Sequence, residues 1–329
     1  MENIRIAYYE FGRPREVLKL EHCRPEPPGP GELLVRMKLS PINPSDLIPI
    51  RGAYAHRIAL PAIPGYEGIG VVEETGRDIP QEWLGRRVLP LRGEGTWQQY
   101  VRVPADWAVR VPDAVDDDAA AQLYINPLTA WVTCTEELRL SGTGMTVLVN
   151  AGGSALGRVY AQLSQALGFR LIAVTRSARH TADLLRLGAD QVIDTSACKL
   201  HDAVNELTGG RGADAAVDSI GGRAGLELAG CLRPGGGFLS LGLLSGEPID
   251  WPELVRTTQA DARLFHLRHW NRQVPVQAWQ ETFGQLLDLA AAGGLGFKSP
   301  AARYRLAEIH QAVQAAEAGA EGKIMLTIS

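Results

Sequence analysis

The sequence predicts an α/β chain of two domains, one β-rich and one a doubly wound parallel sheet. Three observations carry this. The chain has 329 residues, more than one ordinary core accommodates and a suitable length for two domains. Residues 1 to about 120 are rich in Pro and Gly, with short apolar runs closely separated by turn signals, as in a partly open all-β domain. From about 121 to 266 apolar strands alternate with amphipathic stretches. Such a β-α-β series implies a parallel sheet with helices on both faces. The tail, 267–329, returns to a mixed texture and is assigned to the first domain.

The elements follow in order. Residues 1–8 read as a strand. Leu33-Leu34-Val35, Ile69-Gly70-Val71-Val72, Arg87-Val88-Leu89 and Tyr100-Val101-Arg102-Val103 are the apolar runs of the first domain. In the second, strands are expected at 146–150, 170–174, 190–193, 215–218 and 237–241, and helices at 158–167, 181–187, 200–207 and 223–232. The tail carries helical patterns at 277–292 and 306–318 and a last strand at 323–328. No internal repeat or low-complexity segment interrupts the pattern.

Composition narrows the function. Hydrophobic residues make up 45% and charged residues 21%, both within the globular range. With 33 Lys+Arg against 37 Asp+Glu there is no basic excess, so general nucleic-acid binding and anionic-membrane binding are disfavoured. No run of 18 apolar residues occurs, and the first residues have neither a basic n-region nor an apolar h-region. A cytoplasmic protein is expected. Cys23, Cys134, Cys198 and Cys231 form no C-x-x-C pair, which suggests a reducing compartment and no disulfide framework.

The stretch "NAGGSALGR" (150–158) sits between the apolar run Val147-Leu148-Val149 and an amphipathic stretch, so it reads as strand, glycine-rich turn and helix. It departs from G-x-G-x-x-G, because Ala155 stands where many such turns have glycine. Its position still suits a phosphate: a helix N-terminus offers free N–H groups and partial positive charge. Gly152 and Gly153 would let the backbone approach a pyrophosphate, with Ser154 and the backbone N–H groups replacing the missing glycines. Gly157 would let the helix pack closely on the strand. The same residues also suit a tight turn that holds no ligand.

The second strand of the series ends in Thr175-Arg176-Ser177-Ala178-Arg179-His180, with no acid to take the ribose hydroxyls. Arg176, aided by Ser177 and Arg179, could pair with a 2′-phosphate instead, which predicts NADPH over NADH. The plainer reading is a loop of solvated charges.

No cluster of Cys and His suits zinc. "PINPSD" (41–46) contains Asn43 and no Cys, and "GYEGIG" (65–70) has Tyr66 beside Glu67 and no His. No metal site is expected. Any carbonyl polarisation would come from hydrogen bonds, and any proton from a side chain.

These segments, with "INPSDLIPIRGAY" (42–54), "LPAIPGYEGIGVV" (60–72), "GTWQQYV" (95–101), "INPLTAW" (125–131) and "LFHLRHW" (264–270), resemble the medium-chain dehydrogenase/reductase superfamily in its zinc-free branch. More narrowly they resemble the trans-2-enoyl-CoA/ACP reductases (2-enoyl thioester reductases), with the quinone oxidoreductases close by. The resemblance covers nearly the whole chain. It implies a GroES-like catalytic domain (1–120 and 267–329) and a Rossmann cofactor domain (121–266). It also implies NADPH-dependent reduction of a 2-enoyl thioester: hydride to Cβ, then a proton to Cα from the tyrosine of G-x-Y, here Tyr54.

The resemblance further places Asn43 in the active site. It places Asn126, Thr129, Gly153, Ser154, Ala155, Leu156, Leu241, Gly242, Leu243, Phe265, His266, Leu267 and Lys323 at the cofactor, beside Arg176 and Ser177. Trp270 is a candidate for an acyl pocket, although packing suits it as well. Ser45 and Asp46 suit the capping of a short helix, and Glu67 suits holding its loop. The carrier is CoA or acyl carrier protein. A homodimer is implied, with strands at 237–241 and 264–267 extending the sheet across a two-fold axis. Two other readings stand beside the first: a reductase of quinones, enals or enones, and an NADPH-binding protein without strong catalysis.

Overall fold

The computed structural model describes residues 3–319 and 321–328. It divides into two compact units, Met1–Ile125 with Pro275–Ser329, and Asn126–Val274. The division falls a few residues beyond the expected 120/121 and 266/267, for local reasons. The Tyr124 ring stacks on Phe283 at 6.5 Å, and Phe283 packs on Trp279 at 4.9 Å, which holds this part of the chain with the first unit. The helix Leu267–Gln273 belongs to the second unit, where the Trp270 indole N–H donates to Glu136 at 2.9 Å.

The first unit is built on a seven-stranded sheet. Its order runs Ala302–Arg305, Ile324–Thr327, Glu32–Ile42, Ile69–Thr75, Arg87–Leu89, Val109–Arg110, with Tyr100–Pro104 also paired to Glu32–Ile42. The 11-residue strand Glu32–Ile42 is long enough to take partners along both halves. Tyr100–Pro104 shows why these residues form strands: its valines are buried and the residues between them are half-buried, a period of two. Leu33, Val35, Met37, Val72, Trp97, Val101 and Val103 meet in the core. The helix Ile309–Glu317 joins them through Ile309, Ala312 and Val313, spaced to share one face. Asn3–Ala7 and Lys19–Cys23 pair as a separate hairpin.

The second unit is a six-stranded, all-parallel sheet. Its order is Gln191–Asp194, Arg170–Thr175, Thr146–Val149, Ala213–Asp218, Leu232–Ser240, Asp261–Leu264. This is the 3-2-1-4-5-6 order of a doubly wound Rossmann sheet, with its switch point between Thr146–Val149 and Ala213–Asp218. Every residue of these two strands is buried, as expected of a sheet covered on both faces.

Two expected strands differ in the structure. The segment 264–267 is not a strand. The edge strand ends at Leu264, and a helix begins at Leu267, where the His266 imidazole accepts the Arg268 N–H. The segment 237–241 lies inside the sheet, bonded on both sides, so it cannot pair with a second copy. Among the described residues no helix is long and apolar enough to cross a membrane.

Candidate functional site

In the second unit the glycine-rich turn is the N-terminus of the 13-residue helix Ala155–Leu167. Ser154 is its N-cap: the hydroxyl oxygen accepts the Gly157 N–H at 3.1 Å. The Ala155 and Leu156 N–H groups, in the first turn, have no intrahelical acceptor. A Cβ on Gly157 would stand 2.4 Å from the Gly152 carbonyl oxygen, so helix and turn are packed as closely as glycine allows. A Cβ on Gly153 would meet the His180 ring at 2.3 Å.

His180 thus brings the loop after the second strand onto the turn, a link the sequence reading missed. In that loop Arg176 and Arg179 are exposed, and the Ser177 hydroxyl accepts the Arg179 N–H at 3.3 Å. No acid lies in it. Glycine cradle, capped helix start and basic loop could together hold a dinucleotide carrying an extra phosphate.

At the switch point lies a buried network that was also not anticipated. The Asn150 amide donates to Asp218 at 2.6 Å, and its oxygen accepts the Ser219 N–H at 2.8 Å. Asp218, fully buried, also accepts the Ile220 and Gly221 N–H groups. The network shapes the neighbouring segment: the Leu241 N–H donates to the Asp218 carbonyl, and a Cβ on Gly242 would clash with the Ser219 carbonyl at 2.7 Å. Leu243 beyond it is 54% exposed. Phe265 is buried, while His266, Leu267, Asn126 and Thr129 are half-buried. Trp270, half-buried, is held by Glu136.

In the first unit four separate stretches of chain meet in one polar cluster. Asn43 is the N-cap of the helix Pro44–Ile50. Its amide N–H donates to Glu67 at 2.8 Å, and its amide oxygen accepts the Lys323 ammonium. The other Glu67 oxygen accepts the Tyr124 and Ile125 N–H groups at 3.1 and 2.7 Å. Asp46 accepts the Asn43 N–H at 2.7 Å and the Tyr66 N–H at 3.0 Å.

Burial dominates the electrostatics. It pushes the Asp46 carboxyl up to about 7 and raises Glu67, while it lowers Lys323 against the pull of both carboxylates. The sequence reading set Asn43 among the catalytic residues and Lys323 at the cofactor. In the structure the two are bonded to each other, and Asn43 is only 1% exposed.

Tyr54 stands on the loop that follows this helix. It is half-buried, with the Arg57 guanidinium 3.6 Å from its ring centre, a cation–π contact that orients the ring. Arg51, before it, pairs with Glu317. Among the described residues no group of three or more His, Cys, Asp or Glu is placed to hold a metal ion.

Comparison with known proteins adds the following. The family model for the alcohol dehydrogenase GroES-like domain matches residues 29–113, and that for zinc-binding dehydrogenases matches 155–292. A mitochondrial enoyl-[acyl-carrier-protein] reductase of Xenopus tropicalis is 32% identical over 254 residues, 75% of this chain and 72% of the relative. Among solved structures, a Bacillus thuringiensis protein with the provisional name NADPH:quinone reductase is 54% identical, covers 99% of both chains and superposes with a TM-score of 0.97. A quinone oxidoreductase of Pseudomonas syringae is 27% identical over 99% of both chains, with a TM-score of 0.88.

Proposed function

Because this chain belongs to the medium-chain dehydrogenase/reductase superfamily, in the zinc-free branch of enoyl reductases and quinone oxidoreductases, we propose that it reduces the activated C=C bond of a 2-enoyl thioester with NADPH. Tyr54 carries this reading: a phenol oriented by Arg57, on the loop next to the Asn43–Glu67–Lys323 cluster. When bound, NADPH supplies the hydride. Its phosphates would rest on the turn of Gly153, Ser154, Ala155 and Leu156 and on Arg176 and Ser177. Asn126, Thr129, the segments 241–243 and 265–267, Lys323 and Trp270 remain candidates for the nicotinamide and acyl ends. Tyr54 passes a proton to Cα, and Asn43 positions the loop that carries it.

The name of the B. thuringiensis relative favours a second reading, reduction of a quinone, which depends less on a single acid. NADPH consumption by the purified protein with a short trans-2-enoyl-CoA and a simple quinone in parallel separates the two. Fast enoyl-CoA turnover, lost by ~100-fold in Tyr54→Phe, the lower end for a general acid, is expected. Turnover of the quinone alone, insensitive to Tyr54, would replace the first reading with the second.

A homodimer is proposed through the edge strand Asp261–Leu264, where Leu264 is 67% exposed. Sedimentation equilibrium reads this directly. The four cysteines are free thiols, which supports a reducing, cytoplasmic setting.

A further inference from the structure

A second phenol accompanies Tyr54. Tyr66 is 47% exposed, yet its backbone is fixed on both sides. Its N–H donates to Asp46 at 3.0 Å. Gly65 before it has φ +95°, and a Cβ there would strike Thr96 and Trp97 at 2.4 Å.

The two tyrosine loops are joined through a third stretch of chain. Tyr8 and Ala62 exchange backbone hydrogen bonds of 3.0 Å. The Tyr8 ring meets Phe11 edge-on at 6.2 Å, and Phe11 Cβ lies 3.3 Å from where a Cβ on Gly52 would stand. Through its bond to Asp46, in the helix that leads to Tyr54, Tyr66 is fixed beside the same stretch of chain, outside the apolar cluster of this unit. Burial first, and then the Asp46 charge, pushes its phenol up to about 12. The hydroxyl stays protonated, which makes it a donor to an oxygen gaining charge.

We propose that Tyr66 is a further catalytic residue of the reduction, its hydroxyl donating a hydrogen bond to the carbonyl oxygen of the acceptor as that oxygen becomes an enolate. This rests on the reductase reading above. When hydride adds to Cβ, the C=C pair moves into the Cα–C(O) bond and the carbonyl π pair moves onto oxygen, where Tyr66 meets it. The enolate then takes a proton at Cα from the Tyr54 O–H, the C=O bond re-forms, and the Tyr54 phenolate regains a proton from water. With a quinone the hydride adds to a ring carbon conjugated with the carbonyl, the charged oxygen beside Tyr66 takes a proton from water, and a proton lost from that ring carbon passes through water to the second oxygen to give the hydroquinone, so Tyr66 serves both acceptors and Tyr54 only the first.

The test is steady-state kinetics of the wild type, Tyr66→Phe and Tyr54→Phe with trans-2-butenoyl-CoA and with 1,4-benzoquinone. The NADPH Kd from fluorescence serves as the control for fold and cofactor binding. Tyr66→Phe is expected to lose ~100-fold in kcat, the lower end for one oxyanion donor, with little change in KM or in the NADPH Kd. Tyr66→His, which keeps a donor, is expected to recover part of the loss. Wild-type kcat in Tyr66→Phe, or a change confined to KM, overturns the proposal. A wild type that reduces the quinone but not the thioester removes only the thioester reading, and Tyr66 is then judged on the quinone. A wild type that reduces neither removes the reductase reading and Tyr66 with it.

Discussion

The two units hold their polar groups in opposite ways. In the second, the candidate phosphate site is local: strand, turn and helix run from Thr146 to Leu167, and its donors face outward from a helix start. In the first, Asn43, Asp46, Glu67 and Lys323 come from distant stretches and spend their hydrogen bonds on one another. A local site is shaped by backbone conformation, and the ligand it would hold meets N–H groups that the first helical turn leaves over. A site gathered from afar must first stabilise its own buried charges, and the two phenols proposed for the chemistry stand on loops beside it.

Four substitutions sharpen this contrast, from the largest effect down. Glu67→Ala removes the acceptor of Asn43, Tyr124 and Ile125 and one of the two carboxylates whose charge holds Lys323 protonated. Breaking a buried charge cluster costs about 3–5 kcal/mol, read as a lowered urea midpoint. An unchanged midpoint would show that the cluster is decoration.

Asp46→Asn tests the sign of burial. The folded carboxyl titrates near 7 against an ordinary value of 3.8. The folded state therefore binds this proton more tightly than the unfolded chain, and the stability it brings is fully present below about 4 and lost as pH rises to about 7. Wild-type stability should fall relative to the variant across that window. A constant difference would mean that the carboxyl is ionised throughout.

In the second unit, Arg176→Ala should weaken NADPH about tenfold or more and leave NADH unchanged, the worth of one charge-assisted contact to a phosphate. Equal losses for both would place Arg176 elsewhere than at the 2′-phosphate. Ser154→Ala should cost only about 1 kcal/mol of stability, the worth of an N-cap.

The same contrast decides what could be read from the sequence. The apolar runs and the strand–turn–helix pattern are short-range signals, so the Rossmann series and the turn at 150–158 were legible residue by residue. Tyr54 and Lys323 were singled out only through resemblance, and nothing near Lys323 in sequence announces that its ammonium meets Asn43. The bond from Asn43 to Glu67, which lies 24 residues on, was not legible either. The Asn150–Asp218 pair escaped for the same reason, being 68 residues apart. His180 was visible as a letter in a basic loop, but its place against Gly153 depends on how that loop folds back. The mistaken strand at 264–267 has a local cause: Leu264, Phe265 and Leu267 are apolar, and the cap that starts the helix is an imidazole rather than a Ser, Thr, Asp or Asn.

The strand Ile324–Thr327 lies between Ala302–Arg305 and Glu32–Ile42, so residues far apart in sequence share one sheet. On the ribosome this sets an order. The Asn126–Val274 unit is contiguous and can close its sheet while synthesis continues. The first unit must wait with the far half of Glu32–Ile42 unpaired on that side, and Asn43 without its lysine, until the strand Ile324–Thr327 has been made. The nascent chain therefore passes through a stage with a finished cofactor domain and an open catalytic one, and that stage is where a chaperone would have its longest opportunity to act.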